Sequence, residues 1–374
     1  MKVTNRTSYS IFFLSLFSIL AYYTESCSKD PIREKKDDPT DTFPVSQTYT
    51  NGIFIINEGN FNWGNASVSY INQETGKVEQ NIFEEANQRG LGDVAQSMQI
   101  FRNYGLILIN NSNKVEVVNL KDFKSVKSIT GFTAPRYLEV IDSNKAYVTN
   151  LKKDISVINL HTLTVEKTIK TPTWTEGLVK FDHFVFITSV GDYYLSNAFR
   201  KAQIYIIDTD KDMIIDSILT GKEPMGIVID KKQKIWVMCT GGYDHFEDPS
   251  LIRIDPALRI VEKTYIFPAT GSVPSRLCIN SAGDILYYLK GGVYQMPVTS
   301  SELPSEPLIN PDGHLFYGLA IHPKTGCLYV SDAVDYVQTG FVFQFNSQTG
   351  QQINSYTAGR IPGSFCFTSN SGKK

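Results

Sequence analysis

From residue 50 onward the chain alternates apolar and polar positions with a period of two. The alternating runs are short and are cut by turn signals such as Glu74-Thr75-Gly76-Lys77, Lys324-Thr325-Gly326 and Gln348-Thr349-Gly350. Long stretches of helical period are missing. The pattern predicts an all-β protein made of many short strands.

One phrase recurs along these runs. It is a proline or its substitute, two mostly small or polar residues, then an alternating apolar run. It begins at Ala95, Pro135, Thr175, Pro224, Pro274, Phe316 and Pro362, at intervals of 40–50 residues. That spacing suits the four-stranded blade of a propeller. Within two units the remaining strands can be placed at Gly105–Asn110, Lys114–Asn119 and Ser125–Ile129, and at Ala146–Thr149, Ile155–Asn159 and Thr164–Ile169. The third strands end on turn-forming Asn72, Asn119, Asn159, Asp208, Asp255 and Asn346. The last phrase has no strands after it, and the strands from Gly52 have no phrase before them. The two fragments complete one another. A seven-bladed β-propeller over residues 51–370 is expected, with four-stranded blades, its C-terminal strand pairing with the N-terminal blade and so closing the ring.

In such a ring the first strands line the channel, and the loops between second and third strands emerge at the mouth where the phrases begin. Long loops on one face of a rigid scaffold carry function. These loops and phrases nominate Asn57, Asn60, Phe61, Trp63, Asn65, Gln96, Asn110, Asn111, Arg136, Tyr137, Trp174, Tyr193, Tyr194, Tyr243, His245, Arg276, Tyr317, Asp335 and Tyr336 as ligand-binding. The aromatics offer flat apolar surface with polar tips, the amides bond without charge, and either arginine suits a phosphate or carboxylate. Asp332 and Asp335 are candidates for an acid–base pair or a Ca²⁺ site, with loop shaping the simpler role.

Composition narrows the field. Of 374 residues 42% are hydrophobic and 12% aromatic, enough for a substantial core, and a net charge of −2 supplies no basic field for nucleic acid. The five histidines stand apart from one another and from Cys, Asp or Glu at ligand spacing, so neither a metal site nor a catalytic residue is expected. His161 and His183 read as turn or solvent-edge residues. Cys239, Cys278 and Cys366 sit in apolar runs and read as buried free thiols.

Lys2 and Arg6 followed by the apolar Ile11 to Tyr23 read as an export signal, and Cys27 after it as a lipidated first residue. Residues 1–27 are thus expected to be a lipoprotein signal peptide. Residues 28–50, rich in Lys, Asp, Glu, Pro and Thr, are expected to be a flexible tether.

Asn57-Glu58-Gly59-Asn60-Phe61, Gly92 to Met98, Gly131 to Tyr137, Asp332 to Tyr336 and the closing Ile361 to Cys366 resemble the surface propeller lipoproteins of gut Bacteroidetes. Within that YncE-like family the BtuG cobalamin-binding lipoproteins are the nearest resemblance. It implies a non-catalytic lipoprotein at the outer membrane, facing the cell exterior. There it would capture cobalamin as a ligand, not a cofactor, and pass it to a TonB-dependent, BtuB-like outer-membrane transporter. Two other classes fit the residues as well: a propeller that binds a glycan or a protein, and a lactonase-like hydrolase with a metal in its channel.

Overall fold

The chain closes on itself through its last strand. In the computed structural model Pro362–Phe367 pairs antiparallel with Gly52–Asn57, with Ile53 opposite Phe367, Phe54 opposite Cys366 and Ile55 opposite Phe365. Thr368 Oγ1 adds a clasp, accepting from Gly52 N at 2.6 Å and donating to Gly52 O at 2.9 Å. Residues 49–191, 202–242 and 247–368 are described by the structure.

Seven antiparallel sheets follow one another. Their innermost strands are Ala95–Phe101, Pro135–Val140, Trp174–Phe181, Pro224–Ile229, Ser275–Ile279, Phe316–Ile321 and Pro362–Phe367. Each packs against the next and the last against the first, so the ring is complete. These are the strands of the repeated phrase. The predicted strands of the next two units also match, at Tyr104–Ile109, Lys114–Asn119 and Ser125–Thr130, and at Lys145–Asn150, Asp154–Asn159 and Thr164–Lys170.

Second and third strands are buried on both faces because a blade stands on either side of them, as in GIFIIN of Gly52–Asn57. Outer strands meet solvent along one edge and keep the alternation, as in TVEKTIK of Thr164–Lys170. The core therefore lies between blades. Phe54, Tyr70 and Phe123 fill the joint of the first two, and Ile53, Ile55, Tyr329 and Val342 fill the joint at ring closure. The six turn-forming residues act as expected: Asn119 Oδ1 accepts from Lys121 N, and Asp208 Oδ1 from Asp210 N and Lys211 N.

Two details depart from the expected regularity. The sixth blade has three strands. Its outer segment carries Pro304, Pro307 and Pro311, which lack the N–H a ladder needs, and only the single bridge Val293–Ile309 remains. A short helix, Ile82–Asn87, is inserted between the first two blades and buries Ile82 and Phe83. Packing also reaches back to Tyr49, which is buried against Phe54, Tyr70 and Phe123 and donates its N–H to Leu120 O.

Candidate functional site

At the start of every innermost strand the pairing slips. The slip leaves Gln96, Arg136–Tyr137, Glu176–Gly177, Met225, Arg276–Leu277, Tyr317–Gly318 and Gly363 without a partner on the second strand. A bulge of this kind bends the strand and re-aims a side chain. Val94, Ala134, Glu223 and Ile361, each just before an inner strand, take left-handed backbone angles, a strain of order 1 kcal/mol apiece for a residue with a Cβ. The repeated phrase is thus the sequence of a bulge, and its product is a ring of side chains gathered at the channel mouth.

The ring holds two unequal ion pairs. Arg136 is engaged at all three of its nitrogens. Its Nε and Nη2 donate to Glu176 at 2.7 and 2.5 Å, and its Nη1 donates to Gln96 Oε1. Arg276 is not. Its Nε donates to the Tyr317 carbonyl at 2.9 Å, but Nη2 stays 3.7 Å from Glu58 Oε1. Its other N–H groups have no partner among the described residues. The guanidinium lies 4.7 Å over the Tyr317 ring, and Tyr317 in turn meets Tyr336 edge to face at 5.7 Å.

Glu58 enters from the first loop, which the junction just before the closing strand pins through Glu58 N to Ile361 O and Gly59 N to Arg360 O. Tyr317 Oη donates to Glu58 Oε2 at 2.9 Å. Burial pushes the Glu58 carboxyl above its ordinary range, although Arg276, Tyr317 and Arg136 all pull it down. A desolvated carboxyl beside a cation with unused donors is the arrangement expected of an acid–base site.

Arg136, Tyr137, Gln96, Arg276, Tyr317 and Tyr336, all nominated by the sequence, meet at this mouth. Glu58 and Glu176 were missed as site residues. Glu176 is the second residue of the third phrase, in the same place as Gln96 and Arg136, so comparing the phrases position by position would have found it.

Several other nominees brace loops or lie outside this mouth. Asn57 is fully buried, donating to Ser69 Oγ and Ser67 Oγ and accepting from Gly359 N. Asn110 donates to Pro135 O, and Asn111 to Asp93 and Asn62. Asn60 and Asn65 bond each other. Asp335 is exposed and caps its own loop, where bonds from Gln338 and Val337 hold its carboxyl down to about 2. It pairs with no acid. Asp332 instead binds His314 Nδ1 at 2.7 Å while accepting from Leu315 N and Val334 N. Phe61 and Trp63 project into solvent, and Trp174 is half-buried at the start of its strand. Tyr193, Tyr194, Tyr243, His245 and Cys27 lie outside the described residues. Cys239, Cys278, Cys327 and Cys366 are free thiols, and burial pushes Cys278 up to about 12. Among the described residues no three His, Cys, Asp or Glu side chains stand close enough together to hold a metal ion.

Fold and mouth define a seven-bladed propeller with a charged, bulge-built channel entrance. The chain belongs to the family described as Domain of unknown function (DUF5074), whose model matches residues 51–365. No curated protein matches it in sequence. Among solved structures it is similar to a quinonprotein alcohol dehydrogenase-like protein of Bacteroides thetaiotaomicron VPI-5482, at 15% identity and TM-score 0.65, covering 86% of this chain and 79% of that one. It is also similar to the periplasmic gluconolactonase PpgL of Pseudomonas aeruginosa, at 11% and 0.63, covering 85% and 99%. A third is the dihydro-heme d1 dehydrogenase NirN, at 11% and 0.57, covering 89% and 79%. Likeness at such identity establishes the propeller fold.

These findings correct the functional expectation. They carry the resemblance as far as the propeller, not to a BtuG or YncE-like identity. The three structures are named for catalysts, and none is described as a corrinoid binder. The expectations of non-catalytic cobalamin capture, of vitamin B12 transport and of a protein that is no enzyme are therefore set aside. The ring of amides behind them shrinks too, since Asn57, Asn110 and Asn111 are spent inside loops.

Proposed function

We propose that the channel mouth is an active site that hydrolyses a small, polar ring ester such as a sugar-derived lactone. Glu58 is its acid–base group and Arg276 its carbonyl-polarising group. One observation carries this: a desolvated carboxyl held by Tyr317 faces a guanidinium that has kept donors unused.

The chemistry balances without a further reactant. Ionised Glu58 takes a proton from water as the oxygen attacks the ring carbonyl. Arg276 N–H groups stabilise the oxyanion that forms. When the acyl–oxygen bond breaks, Glu58 returns the proton to the departing ring alkoxide, leaving a hydroxy acid. The Arg136–Glu176 pair holds the opposite side of the mouth rigid. A gluconolactonase among the propellers of like fold makes a lactone a sensible first substrate. The export signal expected over residues 1–27 would suit a lipid-anchored enzyme at the outer membrane that meets such esters outside the cytoplasm.

Acid release from glucono-1,5-lactone and other aldonolactones, followed at constant pH against the spontaneous rate, tests this. Acceleration by the protein that disappears in Glu58→Gln supports it. A rate equal in wild type and variant removes it.

A further inference from the structure

The first loop displays what the rest of the molecule buries. Phe61 is 65% exposed and Trp63 77%, the most exposed aromatic side chains among the described residues. Leaving such a ring in water forgoes the gain of burying it. The loop is nevertheless well held. Asn60 N donates to Asn65 Oδ1 at 2.7 Å, Asn60 Nδ2 to Tyr336 O at 2.6 Å and Trp63 N to Asn60 O at 3.0 Å. Asn62 N donates to Asp93 Oδ2 at 2.9 Å, and Asn111 Nδ2 donates to Asn62 Oδ1 at 3.0 Å. The backbone beneath the two rings is thus ordered before any partner arrives, which lowers the entropy lost on binding.

The same loop contributes Asn65 to a second feature, a recess of about 280 Å³ between the first and seventh blades. Ser67, Gln80, Asn81, Thr357 and Arg360 also line it. Gln80 is fixed by Ser69 Oγ and Thr357 O, and Arg360 donates Nε to Val337 O. The walls are mostly neutral amides and hydroxyls, with one cation. Exposed flat rings on the loop that also supplies Asn65 to a hydroxyl- and amide-lined recess match a molecule with apolar ring faces and many neutral hydroxyls.

We propose that this rim is a subsite for a neutral oligosaccharide, with Phe61 and Trp63 stacking on sugar rings and the Asn65–Gln80–Thr357 recess holding hydroxyls. The rim shares no residue with the Glu58–Arg276 pair, so it stands or falls apart from the channel chemistry.

Calorimetric titration of the purified protein with cellohexaose, mannohexaose, maltohexaose and xylohexaose is the test. At least one should bind, with affinity reduced tenfold or more in Phe61→Ala/Trp63→Ala and weakened in Asn65→Ala, but unchanged in Arg276→Ala. Unaltered thermal unfolding of the exposed double variant separates loss of binding from loss of fold. Absence of heat with all four sugars overturns the proposal. So does binding that survives the double substitution, or that vanishes with Arg276. A dimer of the wild type that the Trp63 substitution dissolves, together with silence toward sugars, makes the rings a protein contact and overturns it too.

Discussion

Glu58 and Gly363 come from the two ends of the propeller and share one small volume. A Cβ placed on Gly363 would stand 2.2 Å from Glu58 Oε1. The closing strand therefore does two jobs: it completes the first sheet, and at its bulge it leaves room for the carboxyl.

Gly363→Ala should act on the site more than on the fold. The clash meets the free end of a side chain, so the cost to stability should be about 1 kcal/mol, read from urea unfolding. The Glu58–Tyr317 bond should break, and lactone hydrolysis should fall nearly as far as in Glu58→Gln.

Glu58→Gln itself should lower kcat by about 10²–10⁴. Because burial raises the wild-type carboxyl and the base acts ionised, the rate should climb with pH through a midpoint above the usual carboxylate range. Arg276 is the strongest influence pulling that carboxyl down. Arg276→Ala should therefore move the midpoint to higher pH as well as lower kcat, a combination visible in a pH–rate profile.

Glu176→Gln should be costly to the fold. It leaves Arg136 with its cation buried and its bidentate partner gone, and breaking such a pair costs about 3–5 kcal/mol. Replacing both residues, as Arg136→Met with Glu176→Gln, should recover part of the loss. Denaturant midpoints of the three proteins decide this.

Glu139 sits on an inner strand one turn of the pleat below the mouth, where burial raises its carboxyl from 4.5 up to about 7, against a weaker pull from Lys180. Between those values the native chain holds a proton that the unfolded chain has released. Stability should fall as pH rises through this window, the loss being complete above pH 7. Glu139→Gln removes the effect and should be more stable than wild type above pH 7 by about 1–3 kcal/mol, measured by urea unfolding at pH 5 and pH 8.

The propeller was legible because its blades repeat. A phrase returning at Ala95, Pro135 and Pro224 marks inner strands whatever the intervening residues are, and the unmatched ends at Gly52 and Pro362 imply closure. The missing outer strand of the sixth blade was hidden, since prolines 304, 307 and 311 end pairing without altering the repeat. The site was half legible. Arg136, Arg276 and Tyr317 stand inside the phrase and were found. Glu58 and Glu176 were passed over because loop amides looked more like ligand groups than isolated acids did. Asn57, Asn110 and Asn111 show why that fails: an amide beside a turn can satisfy backbone and neighbours completely. Whether Asn57 would be buried depends on Ser69 of the neighbouring strand and on Gly359, which only the closed ring brings to it.

The bulges have a consequence of their own. At each of the seven entrances the re-aimed side chain is excused from the ladder, so its identity is not dictated by strand pairing. Gln96, Arg136, Glu176, Met225, Arg276, Tyr317 and Gly363 behave as seven sockets in a common wheel, able to exchange acid, base, thioether or nothing at all while the spokes stay as they are. Selection can thus rewrite what this opening accepts by swapping occupants, provided that paired ones such as Arg136 and Glu176 change together.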